Sequence, residues 1–269
     1  MAHHWDPERY LTYADERGRP FVELLARVPA RAPVRVVDLG CGPGNLTALL
    51  GERWPEAHVT GVDSSAEMIE AARGLDTGAE FEVGDLRDWV VSRLAGARTS
   101  TTASVDVLVS NATLQWVPGH LDLLPGLVAV VAPGGWLAFQ VPGNFDEPSH
   151  TIRDRLAAEE PYAAHTAGVA TPEAHDAATY LAALSALDCR VDAWETTYLH
   201  VLHGEDPVFT WVSGTGARPT LQALEAADPD LRRGFEEEFR RRLRAAYPDT
   251  GHGVVLPFRR VFVVAEVPA

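Results

Sequence analysis

A glycine-rich turn after an apolar run is the first place in this chain where residue types and spacing suggest chemistry. Residues 34–45 have the sequence VRVVDLGCGPGN, in which Asp38 lies near the end of the apolar run and glycines occupy positions 40, 42 and 44. Such a run is typical of a strand buried on both faces of a sheet. Glycines let the backbone approach a ligand closely, and open α/β sheets bind ligands at the carboxyl ends of their strands. The pattern therefore predicts a strand, a ligand-binding turn and a helix that begins at Asn45.

Two more acidic residues are predicted at the tips of neighbouring strands. Asp63 ends the segment HVTGVD, 25 residues after Asp38, where an acid can accept hydrogen bonds from ribose hydroxyls. The alternative for Asp63 is a helix N-cap, a position that Ser64 or Ser65 fills equally well. Asp85 follows the third predicted strand. Its carboxylate is expected either to accept from an adenine amino group or to be a surface turn acid.

The string Asp-Leu-Gly-Cys-Gly-Pro-Gly at 38–44 resembles the first motif of class I S-adenosylmethionine (SAM) methyltransferases. In that family the turn holds the amino-acid end of the cofactor, so the resemblance implies SAM as the cofactor. It places Met68 near the adenine, with a position in the core as the alternative, and it points the tip of the fourth strand at the transferable methyl group. The cofactor contacts that it implies are Asp38, Gly40, Cys41, Gly42, Asn45, Asp63, Ser64, Met68, Asp85, Leu86, Asn111 and Ala112.

Further strings resemble one branch of that family, the trans-aconitate 2-methyltransferases. They include Trp5-Asp6-Pro7, Leu114-Gln115-Trp116-Val117-Pro118 and Pro257-Phe258-Arg259-Arg260-Val261. The resemblance covers nearly the whole chain and implies that one carboxylate of trans-aconitate becomes a methyl ester, with release of S-adenosylhomocysteine. A carboxylate is already ionised at neutral pH, so no strong general base is required and no residue is predicted to act as one. We expect the protein to contribute to catalysis by aligning the two reactants and excluding water.

A small anionic substrate with three carboxylates needs planar cationic partners, and arginine binds a carboxylate through two hydrogen bonds. The predicted substrate-binding residues are Tyr10, Arg17, Arg19, Trp116, Asn144, Arg218, Arg259 and Arg260, and the predicted positioning residues are Gln115, Trp116, Tyr198 and His200.

Each of these residues has a structural alternative. Arg259 and Arg260 point to opposite faces of a strand, so at most one of them serves the pocket. Arg218 could be a helix-end cation, His200 a structural histidine, and Trp116 a core aromatic. The aromatic and cationic segment that contains Tyr10 and Arg17 either packs on the domain or forms a flap.

The order of the predicted elements indicates an α/β fold. Five strands alternate with helices and two strands come late in the chain, which predicts a Rossmann-like, doubly wound, mostly parallel seven-stranded sheet with an antiparallel edge strand. The first predicted strand begins near 34, and the others cover 58–63, 80–83, 105–111, 136–141, 190–202 and 254–267. One predicted helix lies within 5–28, another begins at Ser65, and the others cover 45–54, 120–131, 149–160, 179–187, 206–213 and 229–246. One domain, 1–269, is expected to carry helical substrate-lid insertions at about 145–187 and 204–250.

Composition narrows the functional classes. The net charge is -15 and all 23 basic residues are arginines, which argues against non-specific nucleic-acid binding and excludes a lysine nucleophile. No apolar run is long enough to predict a membrane span, the polar N-terminus does not resemble a signal peptide, and the ten histidines show no metal-ligand spacing. His3 and His4 are given no function. Two cysteines and a cofactor turn that contains one of them predict a reduced, cytoplasmic protein, expected as a monomer or weak homodimer.

Three rival functions stay open at this point. The nearest is SAM-dependent methylation of another small molecule, at a carboxylate or a hydroxyl. A second is a catalytically silent SAM-binding protein. A nicotinamide dehydrogenase is the weakest, because the turn lacks the G-x-G-x-x-G spacing.

Overall fold

The computed structural model describes residues 14–97 and 104–269, without the side chains of 14–17 and 97. The first half of the chain alternates helices and strands: α1 (Ala14–Ala26), β1 (Arg35–Leu39), α2 (Ala48–Arg53), β2 (His58–Asp63), α3 (Ala66–Arg73), β3 (Glu80–Val83), α4 (Leu86–Ala97), β4 (Val105–Asn111), α5 (Leu124–Val130) and β5 (Val131–Pro142). The second half contains α6 (Pro148–Ala157), α7 (Ala163–Thr166), α8 (Ala177–Ser185), β6 (Arg190–Leu202), α9 (Pro207–Ser213), α10 (Arg218–Ala227), α11 (Pro229–Ala246) and β7 (Val254–Glu266).

The seven strands of the described residues form one sheet in the order β3-β2-β1-β4-β5-β7-β6. The pairs β1–β2, β1–β4, β2–β3 and β4–β5 are parallel. Strand β7 runs antiparallel to β5, since Gly134 bonds to Val267 while Gly143 bonds to Arg259. The predicted α/β fold with its mostly parallel sheet and antiparallel end is therefore confirmed.

The chain divides into two compact units. The first contains the described residues up to Val141 together with 175–195 and 261–269, and the second contains 142–174 and 196–260. The domain boundaries and lid insertions expected from the sequence stay predictions.

The first unit is built around β1 and β4, whose apolar side chains are buried on both faces of the sheet. Val36 and Leu39 of β1, and Val107 and Leu108 of β4, are at most 1% exposed. Burying each such side chain contributes roughly 1.5–3 kcal/mol relative to leaving it in water. The two strands therefore form a rigid base from which their carboxyl ends present the glycine-rich turn and Asn111.

The second unit is mainly helical. Its longest helix, α11, buries one stripe made of Phe235, Phe239 and Leu243, which are spaced four residues apart. The opposite side carries exposed ion pairs such as Glu238 with Arg241, as expected for a solvated helix face.

Several predicted boundaries were wrong for local reasons. Helix α2 begins at Ala48 and not at Asn45, because residues 45–47 form turns. The helix expected over 120–131 is a short 3-10 segment followed by α5, which ends at Val130. Strand β5 begins at Val131 and not at 136, so it includes Pro133, Gly134 and Gly135. Helices α4, α7 and α10 were not predicted.

Candidate functional site

A cavity of about 630 Å³ lies at the carboxyl ends of β1, β2 and β4 in the first unit. This volume is in the range of small-molecule and cofactor pockets. Its lining includes most of the predicted cofactor contacts and one predicted substrate contact: Gly40, Gly42, Asp63, Ser64, Met68, Asp85, Leu86, Asn111, Ala112 and Trp116. Their roles stay predictions, but the fold does bring these residues together.

The glycine-rich turn needs its glycines for backbone conformation and for space. Gly40, Gly42 and Gly44 have φ values of 79°, 56° and 80°, in the left-handed region that favours glycine. A Cβ atom on Gly40 would lie 2.0 Å from the Thr113 hydroxyl oxygen. The amides of Gly40 and Cys41 both donate to the Val62 carbonyl, at 2.7 and 3.1 Å. The turn is therefore held against β2, and at Gly40 it has no room for a side chain.

Asp38 lies behind the turn with one carboxylate oxygen unsatisfied. It is 2% exposed, and Oδ2 accepts a 2.7 Å hydrogen bond from the Thr47 hydroxyl. Oδ1 is buried without a hydrogen-bond partner among the described residues. Burial raises the pKa of Asp38 to about 7; the Thr47 hydrogen bond opposes this rise, and the charge of Asp63 adds to it. A cationic ligand group at the turn would stabilise the ionised form of Asp38.

Asp63 connects the turn to the next helix. Its Oδ2 accepts from the Gly42 amide and its Oδ1 from the Ser65 amide, both at 2.9 Å. Ser65 is the N-cap of α3, since its Oγ accepts from the Met68 amide, so Asp63 is not the cap. Burial raises the pKa of Asp63 despite these hydrogen bonds. The carboxylate lines the cavity, where its remaining acceptor capacity suits ligand hydroxyls.

For Met68 and Asp85, the structure is compatible with both of the roles considered from the sequence. Met68 is 4% exposed and lines the cavity, so it belongs both to the core and to the pocket wall. Asp85 lines the cavity too, and its Oδ1 accepts from the amides of Arg87 and Asp88 at the start of α4. A turn role and a ligand role are therefore compatible for Asp85.

The tip of β4 is fixed by two glutamines. Gln140 Nε2 donates to Asn111 Oδ1 at 2.6 Å, and the Gln140 carbonyl accepts from the Ala112 amide at 2.9 Å. Gln115 Nε2 donates to the Ala112 carbonyl at 2.5 Å. Ala112 has φ of 54°, a strained value for a residue other than glycine. Gln115, predicted as a positioning residue for substrate, lies outside the cavity lining and holds the backbone of this turn, while Trp116 lines the cavity.

Other predicted residues lie away from the cavity. Cys41 packs against Ile69, Ala72 and Phe81, and burial raises the pKa of its thiol. Asn45 and Arg19 line a separate cavity beside α1, where Arg19 binds Glu23 at 2.8 Å. Tyr10 and the side chain of Arg17 lie outside the described part of the chain.

Six predicted substrate-side residues lie in the second unit: Asn144, Tyr198, His200, Arg218, Arg259 and Arg260. Asn144 is 2% exposed, and neither its Oδ1 nor its Nδ2 has a hydrogen-bond partner among the described residues. A buried amide without partners costs free energy, so this one indicates a place for a polar ligand.

The arginines of this group differ in surroundings. Arg259 Nε donates to the Gly143 carbonyl at 2.7 Å. Arg260 is 5% exposed, with its guanidinium 4.5 Å from the centre of the Phe258 ring. Arg218 is the first residue of α10, where a cation opposes the helix dipole. The helix-end explanation for Arg218 therefore has no electrostatic support.

Tyr198 and His200 belong to an aromatic group on the second unit. Tyr198 is 4% exposed and stacks on His200, and His200 in turn contacts Trp211 with ring centres 4.7 Å apart. This packing agrees with the structural alternative for His200. The side chains share one face of β6, as the spacing predicts.

A buried histidine and a buried arginine on α6 were not predicted from the sequence. Arg153 is 3% exposed and donates through Nη1 to the Gly216 carbonyl at 2.5 Å, two residues before Arg218. His150 is 5% exposed, and burial, helped by the charge of Arg153, lowers its pKa to about 3. The spacing of three residues was the available signal, because i and i+3 share a helix face.

No helix among the described residues has both the length and the apolar character needed to cross a bilayer. Within residues 14–97 and 104–269, no group of three or more His, Cys, Asp or Glu side chains is arranged to hold a metal ion.

Comparison with known proteins identifies relatives over the whole chain. A family model described as a methyltransferase domain matches residues 10–188. A trans-aconitate 2-methyltransferase of Streptomyces avermitilis is 50% identical, over 98% of this chain and 97% of the relative. One from Rhodococcus jostii is also 50% identical, over 98% and 99%. Among solved structures, a putative methyltransferase from Bacillus halodurans aligns with a TM-score of 0.55 at 12% identity, over 93% of this chain and 100% of that one, which supports the fold alone.

Proposed function

We propose, on the premise that this chain belongs to the trans-aconitate 2-methyltransferase family of class I methyltransferases, that it methylates one carboxylate of trans-aconitate with SAM as the cofactor. The observation that carries the proposal is the 50% identity over 98% of the chain, which includes the second unit with its buried arginines. A shared fold alone would support methyl transfer without indicating a substrate.

The residues of the first unit fit the cofactor. The glycine-rich turn leaves open backbone at Gly42, where a Cβ would have no neighbour within 4 Å, and Asp38 Oδ1 is a buried acceptor without a partner in the described chain. These features suit the amino-acid end of SAM. Asp63 supplies carboxylate oxygens for ribose hydroxyls, and Met68 and Leu86 supply apolar surface for the adenine.

When bound, SAM supplies an electrophilic methyl group on a positively charged sulfur. The substrate carboxylate is already ionised, so the chain need not remove a proton. What the chain contributes is orientation: correct alignment of two reactants can be worth roughly 7–11 kcal/mol. Trp116, an indole at the cavity wall beside the β4 tip, helps to exclude water from that end of the cavity.

The second unit supports a polycarboxylate as substrate. Its buried charged residues, within the described chain, are the arginines Arg153 and Arg260, in a protein whose net charge is -15. The Arg153 guanidinium is bound to the Gly216 carbonyl and to Asp154. Together with Arg260 it places local positive charge in an acidic protein, which favours an anionic ligand over a neutral one. Arg218 adds a further cation, and Asn144 adds an amide with unused donor and acceptor.

An arginine that binds the attacking oxygen too tightly would reduce its nucleophilicity. The arginines are therefore assigned to the carboxylates that do not react, where bidentate hydrogen bonds fix the substrate without touching the reacting atoms.

The buried free thiols of Cys41 and Cys189 suit a reducing compartment, so we place the protein in the cytoplasm. No nucleic acid is proposed as a partner, and the monomeric or weakly dimeric state stays a prediction.

A substrate panel tests the proposal. The protein is incubated with SAM and, separately, with trans-aconitate, cis-aconitate, citrate, isocitrate and itaconate, and products are quantified by mass spectrometry. We expect kcat/KM for trans-aconitate to exceed the others by at least about 10-fold, the discrimination that roughly 1.4 kcal/mol provides. SAM binding without transfer to any acid would contradict the proposal and favour a silent SAM-binding protein or a different acceptor.

A pair of arginine variants tests the assignment to the second unit. Arg260→Met removes a buried cation, and we expect a higher KM for trans-aconitate with an unchanged Kd for SAM. Arg233→Met is the matched control, because the Arg233 side chain is 70% exposed on α11. If both variants are folded by circular dichroism and have the same KM for trans-aconitate, Arg260 does not bind the substrate.

A further inference from the structure

The side chain of Gln140 is hydrogen-bonded to the oxygen end of the Asn111 amide. The two residues are opposite each other in the register of the parallel pair β4–β5. Gln140 is 0% exposed, and its Nε2 donates to Asn111 Oδ1 over 2.6 Å. Because an amide has an oxygen end that accepts and an NH2 end that donates, this hydrogen bond assigns the two ends of Asn111 different tasks. Its oxygen faces Gln140.

The available end of Asn111 is therefore the donor. Asn111 lines the cavity at the tip of β4, next to Ala112 and Trp116. A donor there attracts an anionic oxygen and is poorly matched to an amine, which would present its own hydrogens. An acceptor at the same position would have the opposite preference.

The backbone next to Asn111 is held in place by further hydrogen bonds. The Gln140 carbonyl accepts from the Ala112 amide at 2.9 Å, and Gln115 Nε2 donates to the Ala112 carbonyl at 2.5 Å. These two hydrogen bonds hold the Ala112 peptide groups in the conformation with a left-handed φ of 54°. On the other side, the Thr113 hydroxyl lies 3.2 Å from both the Gly40 and the Asn111 carbonyl oxygens, which connects this turn to the glycine-rich turn.

We propose that Gln140 is a positioning residue that orients Asn111 so that its NH2 group donates to the carboxylate that receives the methyl group. This inference rests on the proposed function, and it deepens that function by naming the device that selects a carboxylate over an amine. Asn111 donates to the oxygen that does not attack, which fixes the plane of the carboxylate and leaves the other oxygen free to react. No bond to Gln140 or Asn111 forms or breaks during transfer.

The central experiment is a double-mutant cycle. Gln140→Met keeps the approximate volume of the side chain but removes its donor. We expect it to lower kcat/KM for trans-aconitate roughly 10- to 100-fold, the range for losing a hydrogen bond to a charged group, with the Kd for S-adenosylhomocysteine changed less than about twofold. In an Asn111→Ala background there is no amide to orient. The same substitution should then change kcat/KM by less than about threefold, because the effects of coupled residues do not add.

A third variant tests the direction of the amide. Asn111→Asp is nearly isosteric but presents only acceptors at neutral pH, so it repels a carboxylate. We expect Asn111→Asp to be less active than Asn111→Ala, and to bind trans-aconitate more weakly in calorimetry on the protein saturated with S-adenosylhomocysteine. If the oxygen end served the substrate, Asn111→Asp would be the more active of the two.

Ser110→Ala serves as the control for stability. Ser110 is 2% exposed, and its hydroxyl donates to the Leu39 carbonyl at 2.8 Å, so the variant loses a buried hydrogen bond of the same strand without touching the Asn111 amide. We expect a loss of thermal stability similar to that of Gln140→Met, with kcat/KM close to wild type.

If the wild-type protein is active and the effects of Gln140→Met and Asn111→Ala on kcat/KM are additive, the inference about Gln140 is wrong while the proposed function stands. A wild-type protein that methylates no carboxylate would overturn the proposed function and the inference with it.

Discussion

Replacing Asp38 by asparagine is expected to remove the contribution of Asp38 to the pH dependence of stability of the ligand-free protein between about pH 4 and pH 8, a range in which His150 and Asp63 contribute as well. The carboxylate is 2% exposed, and its partner in the described chain is the Thr47 hydroxyl, at 2.7 Å from Oδ2. Its second oxygen is buried without a hydrogen bond from the described residues. A charge held this way destabilises the folded state whenever it is ionised.

The magnitude follows from the pKa. Burial moves the pKa of Asp38 from 3.8 to about 7. A tenfold change in an ionisation constant corresponds to about 1.4 kcal/mol, so the full penalty for ionising Asp38 in the folded protein is about 4 kcal/mol. Because the folded-state pKa is the higher one, the folded protein retains a proton that the unfolded chain has lost. Stability therefore falls as the pH rises from about 4 to about 7, and roughly 2.5 kcal/mol of the loss develops between pH 5 and pH 8.

The measurement is urea unfolding of the ligand-free wild type and of Asp38→Asn at several pH values. The wild type should lose roughly 2.5 kcal/mol more than the variant between about pH 5 and pH 8. Thr47→Val removes the donor that opposes the rise in the pKa of Asp38, so its loss of stability should extend to higher pH than in the wild type. If the free energy of unfolding changed with pH to the same extent in the wild type and in Asp38→Asn, the description of Asp38 as a buried, poorly satisfied carboxylate would be refuted.

Two further predictions concern the turn and the second unit. Gly40→Ala should cost several times the roughly 1 kcal/mol expected for Gly42→Ala, because its Cβ meets Thr113 at 2.0 Å while a Cβ on Gly42 meets nothing within 4 Å. Equal melting temperatures for these two variants would contradict the packing described. Asn144→Leu should stabilise the ligand-free protein by about 1 kcal/mol, since it removes a buried amide that lacks partners in the described chain, and should raise the KM for trans-aconitate. Lower stability with an unchanged KM would show that Asn144 has a structural role instead.

The glycine-rich turn and the acids at the strand tips could be predicted from the sequence because their signals are local. An apolar run, three closely spaced glycines and an acid at each strand end are all encoded within short segments. The fold brings Gly40, Asp63, Asp85 and Asn111 to one cavity since carboxyl ends of parallel strands meet at one edge of the sheet.

The contributions of Gln140 and Arg153 could not be predicted in this way. The function of Gln140 depends on the register that pairs it with Asn111 across two strands, and that register is set by the packing of the whole sheet. Arg153 resembles any charged residue on an amphipathic helix until its burial against Gly216 is known. Helix α10 was predictable in principle, because Pro219 occupies one of the first two helical positions.

The placement of Cys41 shows the limit of a motif. Its position in the turn suggested a cofactor contact, yet its side chain points into a cluster with Ile69, Ala72 and Phe81. The direction of each side chain along a turn is not encoded in residue type, so the motif predicted the backbone better than the side chains.

The most direct test of carboxylate methylation uses SAM that carries a deuterated methyl group, together with trans-aconitate and the wild-type protein. We predict one labelled methyl group on a carboxylate oxygen of trans-aconitate and one equivalent of S-adenosylhomocysteine, with the ester lost on mild alkaline hydrolysis. SAM that remains intact after saturating trans-aconitate is added, in a protein that calorimetry shows to bind both molecules, would contradict the proposed function.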